Sequence, residues 1–473
     1  MEEKIKELLN ELFAQWSGSK AEVFSELPPS GSNRRYFRIS GGACSAIGVY
    51  NADQKENRAF IGFTQSLKQA GIRVPEIYAT DDAYGIYLQQ DLGDETLFSM
   101  LVRERAANNG EFTPQIKDMY RKVIDALVDI QVKGSASINF DLCYPRRAFD
   151  RQSMMWDLQY FKYYFLKLAH IQFDEQLLEN DFDTLIDYLL EVEHDYFMYR
   201  DFQSRNIMIN QGMPWFIDYQ GGRYGALQYD LASLLYDAKA DIPNDVRREL
   251  LDYYLERLTT GGSDQFVMHY YAYVLIRILQ AMGAYGYRGF FERKTHFLRS
   301  IPFALANLKD LIDNHLPSIT VPELLRVLNG ICESEELRSI GNSTRLKVRV
   351  CSFSYRHGIP VDNSGNGGGF VFDCRALPNP GKYEQYKQFT GRDQEVIDFF
   401  EREMDSMKPF IEATRQLVRQ SVEKYISRGF TNLAVNFGCT GGQHRSVYCA
   451  EQMAQWLRSN YDVDVEVKHW EQR

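Results

Sequence analysis

"YFMYRDFQSRNIMIN", residues 196–210, is followed after a short turn by "WFIDY", residues 215–219. Asp201 and Asn206 stand five residues apart, and Asp218 comes twelve residues after Asn206, flanked by apolar side chains. Phosphoryl transfer to a hydroxyl needs a carboxylate that orients and deprotonates the nucleophile. It also needs oxygen ligands for magnesium, one of them strongly anionic. Asp201 fits the base, and Asn206 and Asp218 fit a metal pair that bridges nucleotide phosphates. A D-x4-N pair alone more often caps or turns a loop. The apolar "NIMI" run and the second Asp after it favour chemistry.

Working outward, the chain of 473 residues is too long for one ordinary core, which implies two or three domains. Its 44% hydrophobic and 25% charged residues mark a globular protein, and a net charge of −10 argues against whole-chain attraction to nucleic acid. Seven scattered cysteines contain no C-x-x-C pair, so neither a zinc site nor a disulfide framework is expected. The start, "MEEKIKELLNELFAQW", reads as an acidic amphipathic helix rather than a targeting peptide, and no apolar run has membrane length. The expectation is a cytoplasmic protein with no membrane partner.

Strand candidates "RRYFRIS", "CSAIGVY" and "GIYLQQDL", with a helix at "KENRAFIGFTQSLKQAG", fill residues 1–93. Residues 94–320 are mostly helical apart from the 196–222 segment. Residues 321–344 read as a linker helix. A fresh strand, "RLKVRVCSFSY", opens a last region, 345–473, which carries a glycine-rich surface loop "NSGNGGG" at 363–369.

On these motifs residues 1–320 resemble the aminoglycoside phosphotransferase family, kinases of the protein-kinase-like fold. The resemblance implies an α+β two-lobed fold, with a small β-rich lobe at 1–93 and a large helical lobe at 94–320. The family loop H-x-D-x4-N has Tyr199 in place of its His. Asp230, in "YDLASLLYD", is implied to brace that loop. The subgroup that phosphorylates the anomeric hydroxyl of N-acetylmuramate and N-acetylglucosamine is the closer resemblance. It carries segments like "SGSNRRYFRIS" (30–40), "QQDLGDETL" (89–97) and "ILQAMGAYGYRGFFERKTHFLRSIP" (278–302). It implies ATP and Mg2+ as cofactors. Ser32, Asn33 and Arg34 would lie at the nucleotide phosphates, and Gln90 and Asp91 at the adenine hinge. The family's third-strand lysine has no counterpart in "CSAIGVYNADQK", since Lys55 precedes Glu56 in the wrong place. An arginine of the 34–38 hairpin is a candidate replacement that spacing alone does not assign.

Near the C-terminus, "NFGCTGGQHRSVYC", 436–449, runs from a strand through glycines into an apolar-periodic helix. That geometry holds anions on backbone N–H groups. It also spells C-x5-R-S, the tyrosine-phosphatase signature. Together with "CSFSYRHGIP", "FVFDCRALPNP" and "FTGRD", it makes 345–473 resemble the C-terminal domain of the RNase adapter RapZ, an α/β domain. The resemblance implies a glucosamine-6-phosphate sensor. Backbone N–H groups of Thr440, Gly441, Gly442 and Gln443 would cradle the phosphate, with Arg445 as clamp and His444 and Ser446 in the same binding loop; His357, Asp373 and Arg375 would meet the sugar or the phosphate rim, or else serve as a turn cap and a strand salt bridge. Cys439 is then a packed strand residue. Gly381 departs from the histidine usual after "PNP".

The expected protein is an ATP-dependent amino-sugar kinase of cell-wall sugar salvage with an attached phosphosugar sensor. The alternatives are an RNA-binding regulatory adapter with a vestigial kinase half, and a kinase for another small alcohol or amine.

Overall fold

The computed structural model describes residues 2–28, 34–258, 263–340, 346–361, 369–428 and 430–472. Ser32, Asn33 and nearly all of the 363–369 loop lie outside these. The chain forms two units: Met1–Tyr287 with Phe303–Ser334, and Arg288–Pro302 with Glu335–Arg473.

The first unit opens with helix α1 (Glu2–Ser17) under an antiparallel sheet of β1 (Val23–Glu26), β2 (Arg35–Gly41), β3 (Cys44–Tyr50), β4 (Ile77–Asp81) and β5 (Ile86–Gln90). The strand order is β1-β2-β3-β5-β4. Leu9 and Phe13 of α1 pack with Phe37, Ile39 and Leu88. At Gly48 a side chain would meet Ile39 and Leu9, so the helix sits on the sheet only because β3 has a glycine there. Helix α2 (Gln54–Gln69) is capped by Asp53, whose carboxylate accepts from the N–H groups of Lys55 and Glu56. β5 leads through Asp91–Gly93 to α3 (Leu97–Ala107). Asn210 Nδ2 donates to the Leu92 carbonyl at 3.2 Å and ties that crossing to the helical lobe.

That lobe contains α4 (Pro114–Asp129), α5 (Arg151–Phe161), α6 (Glu175–Leu189), α7 (Leu227–Leu235), α8 (Asn244–Arg257) and α9 (Ser263–Tyr285). Every residue of α7 is buried, so it is a core helix with no solvent face. Two small antiparallel pairs carry the functional loops. β6 (Tyr196–Met198) pairs with β9 (Arg223–Gly225), and β7 (Ile207–Asn210) pairs with β8 (Met213–Phe216). The stretch read as a linker, 321–344, opens with α10 (Pro322–Glu333). It buries Leu324, Val327, Leu328 and Ile331, and its Leu324 N–H donates to Asp181 of α6 at 2.8 Å.

The second unit is built on a fully parallel sheet of β10 (Lys347–Ser354), β11 (Gly369–Asp373), β12 (Asn432–Cys439) and β13 (Asp464–His469), in the order β11-β12-β10-β13. Parallel neighbours need crossovers. Helices α11 (Gln394–Arg402) and α12 (Met404–Arg428) lie between β11 and β12, and α13 (Arg445–Asn460) between β12 and β13. Val348, Val350, Val435 and Phe437 of the central strands pack with Val396, Val418, Met453 and Leu457 of the helices. A small β lobe joined to a helical lobe, followed in the chain by an α/β domain, is the architecture the resemblances imply.

Candidate functional site

The loop between β6 and β7 is held from below by Asp230 of α7. Its fully buried carboxylate accepts from the N–H groups of Tyr199 (2.7 Å) and Arg200 (3.0 Å). Burial pushes this carboxyl up to about 7, against the pull of those two hydrogen bonds. The Tyr199 hydroxyl donates to the carbonyl of Ile217, the residue before Asp218. In the position of the family's His, Tyr199 therefore couples the Asp201 loop to the Asp218 segment, and its ring packs edge-on against Phe202 and Tyr219.

Asn206 joins the two acids. Its Nδ2 donates to the Asp201 carbonyl at 2.9 Å and to Asp218 at 3.2 Å, leaving Oδ1 for another partner. Asp218 has φ +71°, in the left-handed region that costs a non-glycine residue energy. Gln220 donates to its other carboxylate oxygen at 2.7 Å. Burial, and then the neighbouring Asp201 charge, raise the Asp218 carboxyl above the usual range. Two neighbouring like charges, with the amide oxygen of Asn206 left open beside them, suit a divalent cation. Among the described residues no group of three or more His, Cys, Asp or Glu could hold a metal alone. Phosphate oxygens would have to complete the shell, as a nucleotide-bound magnesium requires.

One strand away from β3 lies a buried cation. Arg34, just before β2, is only 3% exposed. One terminal nitrogen lies 3.5 Å from Glu56 of α2 and the other 4.0 Å from Asp218. Asn51 Nδ2 donates to the same Glu56 oxygen at 2.7 Å. α2 is docked onto the Asp218 segment by Phe60 stacked on Tyr219 (centroids 4.9 Å apart) and by the Thr64 and Tyr219 hydroxyls, 2.5 Å apart. The other two arginines of the hairpin serve the sheet. Arg35 pairs with Glu26, and Arg38 pairs with Asp91 and Asp94. Only burial singles out Arg34, and the sequence "RRYFR" carries no mark of it.

The hinge residues are engaged within the sheet. Asp91 accepts from Arg38 (2.8 and 3.1 Å), Ser45 (3.0 Å) and the Gly93 N–H (3.0 Å), which hold its carboxyl low against the effect of burial. Gln90 Oε1 accepts from the Glu76 N–H at 3.3 Å.

In the second unit the loop after β12 bends at Gly442, φ +66°, where a side chain would meet Glu471 and the Ser354 N–H. Cys439 is buried. Its sulfur accepts from the Gly442 N–H at 3.2 Å and lies 3.2 Å from the Ser446 hydroxyl. Ser354 donates to the Thr440 carbonyl at 2.7 Å. The large side chains of the loop point into the framework. Gln443 donates to the carbonyls of Lys387 and Phe389, and His444 Nε2 bonds the Tyr386 carbonyl. Burial lowers the His444 pKa. Arg445 is braced by one nitrogen on the carbonyls of Arg375 (2.8 Å) and Leu377 (3.3 Å), while Nε and Nη2 have no acceptor among the described residues. The N–H groups of Gly441, Gln443, His444, Arg445 and Ser446 likewise meet no acceptor among the described residues. Asp373 and Arg375 pair at 2.6 Å, and Arg445 adds to the positive field that holds Asp373 low. His357 pairs with Glu471 at 2.8 Å rather than with this group. A Cβ at Gly381 would sit 3.3 Å from Asn379 Oδ1 and 3.4 Å from Cε1 of the His444 ring.

Residues 24–266, just over half of the chain, match the phosphotransferase enzyme family, and the chain belongs to that family. Residues 346–473 match the RapZ C-terminal domain. A nucleotide-binding protein of Thermosipho africanus is 36% identical over 134 residues, 28% of this chain and 46% of the relative. One of Marinobacter nauticus is 40% identical over 126 residues, 25% of this chain and 38% of the relative. The chain thus spans less than half the length of these curated relatives. Among solved structures, choline kinase from Cryptosporidium parvum is similar at 14% identity and TM-score 0.45, covering 70% of this chain and all of that one. Spectinomycin phosphotransferase in complex with ADP and spectinomycin is similar at 12% identity and TM-score 0.42, covering 71% and 97%. No helix among the described residues is long and apolar enough to cross a membrane.

Proposed function

We propose that the first unit transfers the γ-phosphoryl group of ATP to the anomeric hydroxyl of N-acetylmuramate or N-acetylglucosamine. The observation that carries this is the joining of Asp201, Asn206 and Asp218 by one amide, with Arg34 held between Glu56 and Asp218. Asp201 orients the sugar hydroxyl and takes its proton as the new P–O bond forms. Arg34 faces the nucleotide phosphates, and Gln90 and Asp91 lie at the adenine edge. Magnesium, held by Asn206 and Asp218, would offset the charge of the transferring phosphoryl group. The sugar and its position rest on the subgroup resemblance at 30–40 and 278–302.

The second unit, in the same proposal, binds glucosamine-6-phosphate as a regulator and does not consume it. Unpaired N–H groups at the start of α13 and the two open nitrogens of Arg445 support an anion there. Buried Cys439, hydrogen-bonded within its own loop, fits a packed strand end. A nucleotide-consumption screen across amino sugars, with product position read by phosphorus NMR, tests the reaction. Transfer to a sugar blocked at its reducing end would overturn the position.

A further inference from the structure

Arg223 opens β9, and its Cα is paired with Met198, the last residue of the strand that feeds the Asp201 loop. Its place is rigid, since the preceding Gly222 admits no side chain against the Phe197 ring. Arg223 is 8% exposed, and its Nε donates to the Gly221 carbonyl at 3.0 Å. Among the described residues the two terminal nitrogens have no hydrogen-bond partner and no carboxylate within 4 Å, and they are not among the enclosed polar atoms. They open onto solvent from an otherwise buried side chain.

The surroundings leave positive charge over. Arg200 neighbours Arg223 and is itself satisfied, donating to Asp157 at 2.6 Å and to the Tyr229 hydroxyl at 2.8 Å. Asp157 is thus committed to Arg200. Burial, followed by the Arg200 charge, lowers Arg223 to about 10. A guanidinium kept in such a place without a counter-ion costs stability, and a fork of open N–H groups matches a carboxylate or phosphate in two-point contact.

We propose that Arg223 is a specificity-determining residue that binds an anionic substituent of the acceptor, so that acidic acceptors are preferred to neutral ones of the same shape. This rests on the reading of Asp201 as the base. Arg223 is paired with Met198, three residues before Asp201, so it stands on the strand next to the one that leads into that loop. Of the two sugars proposed, N-acetylmuramate carries such a group in its lactyl carboxylate.

The test compares N-acetylmuramate with its lactyl carboxamide, which nearly keeps the volume and loses the charge. The full-length protein, Arg223→Met and Arg223→Lys are each assayed for kcat/KM and, by calorimetry, for binding. Wild type should favour the acid by ~10-fold or more, Arg223→Met should abolish that ratio, and Arg223→Lys should restore part of it. A structural role would lower both sugars together in Arg223→Met and would overturn the proposal, as would a wild type that does not distinguish them. Preferential binding of the acid through Arg223 with no phosphoryl transfer would uphold this site and sink the kinase reaction. Binding of neither sugar would sink both.

Discussion

Arg34 holds a buried positive charge between Glu56 and Asp218, 3.5 Å from one carboxylate and 4.0 Å from the other. The first belongs to a helix of the small lobe and the second to the segment after β8, so one guanidinium links the two. Arg34→Met should lower kcat/KM for ATP by ~10²-fold, about 2.7 kcal/mol, mainly through KM. Arg34→Lys should recover part of this, since lysine keeps the charge and loses the fork. Steady-state kinetics against ATP check it. Unchanged kinetics in Arg34→Met would mean that the arginine only braces α2.

The base is tested by Asp201→Asn, which should preserve the fold and nucleotide binding while turnover falls by ~10²-fold or more. The structure adds a second expectation. Part of the upward shift of Asp218 comes from the Asp201 charge. Magnesium needs Asp218 ionised, so in wild type metal-dependent nucleotide binding is lost as pH falls through that raised value. Removing the Asp201 charge should move the loss to lower pH. Calorimetry across pH reads the midpoint, and Asp218→Ala should abolish the metal dependence.

Asp230 gives a stability signature. Its folded value of about 7 lies above the ~3.9 of an unfolded aspartate. Between those values the folded state binds more protons than the unfolded one. The group therefore costs stability progressively as pH rises through that window. The melting temperature of wild type relative to Asp230→Asn should fall from pH 4 to 7. The amide leaves one of the two loop N–H groups without an acceptor, so kcat should also fall. A pH-independent difference in melting temperature would contradict the assignment.

The meeting of Asp201, Asn206 and Asp218 was legible because all three lie within 23 consecutive residues, 196–218, with apolar runs that mark the strands. Arg34 was not, since its partners lie 22 and 184 positions away and its neighbour Arg35 is the same residue type facing Glu26. Tyr199 reads as a lost histidine, yet its hydroxyl holds the Ile217 carbonyl, a contact that needs the folded β6 and β8 ends. Arg223 carried no signal, because an arginine in a loop is ordinarily solvated and only its burial makes it unusual. In the second unit the loop was plain from its glycines. That Gln443 and His444 turn inward depends on carbonyls about 55 residues upstream and leaves the backbone as the main anion donor.

The last prediction concerns Arg445. Arg445→Ala should weaken glucosamine-6-phosphate binding by about 1.5–3 kcal/mol, for loss of a charge-assisted contact. The same side chain also braces the Arg375 and Leu377 carbonyls, so part of the loss is expected as loosening of the "PNP" segment. Arg445→Lys separates the two contributions, since an ammonium can keep the brace or the phosphate contact but not both at full strength. A regulator must bind two kinase states with different affinity. Saturating glucosamine-6-phosphate should therefore change the kinase's affinity for its sugar by ~5–150-fold, and an abundant pathway product makes inhibition the expected sign. Calorimetry with the ligand, and kinase assays with and without it on wild type and Arg445→Ala, read both steps. Tight binding with unchanged kinetics would keep the sensor and end the coupling. Steady release of inorganic phosphate that disappears in Cys439→Ser would instead make the loop a phosphatase.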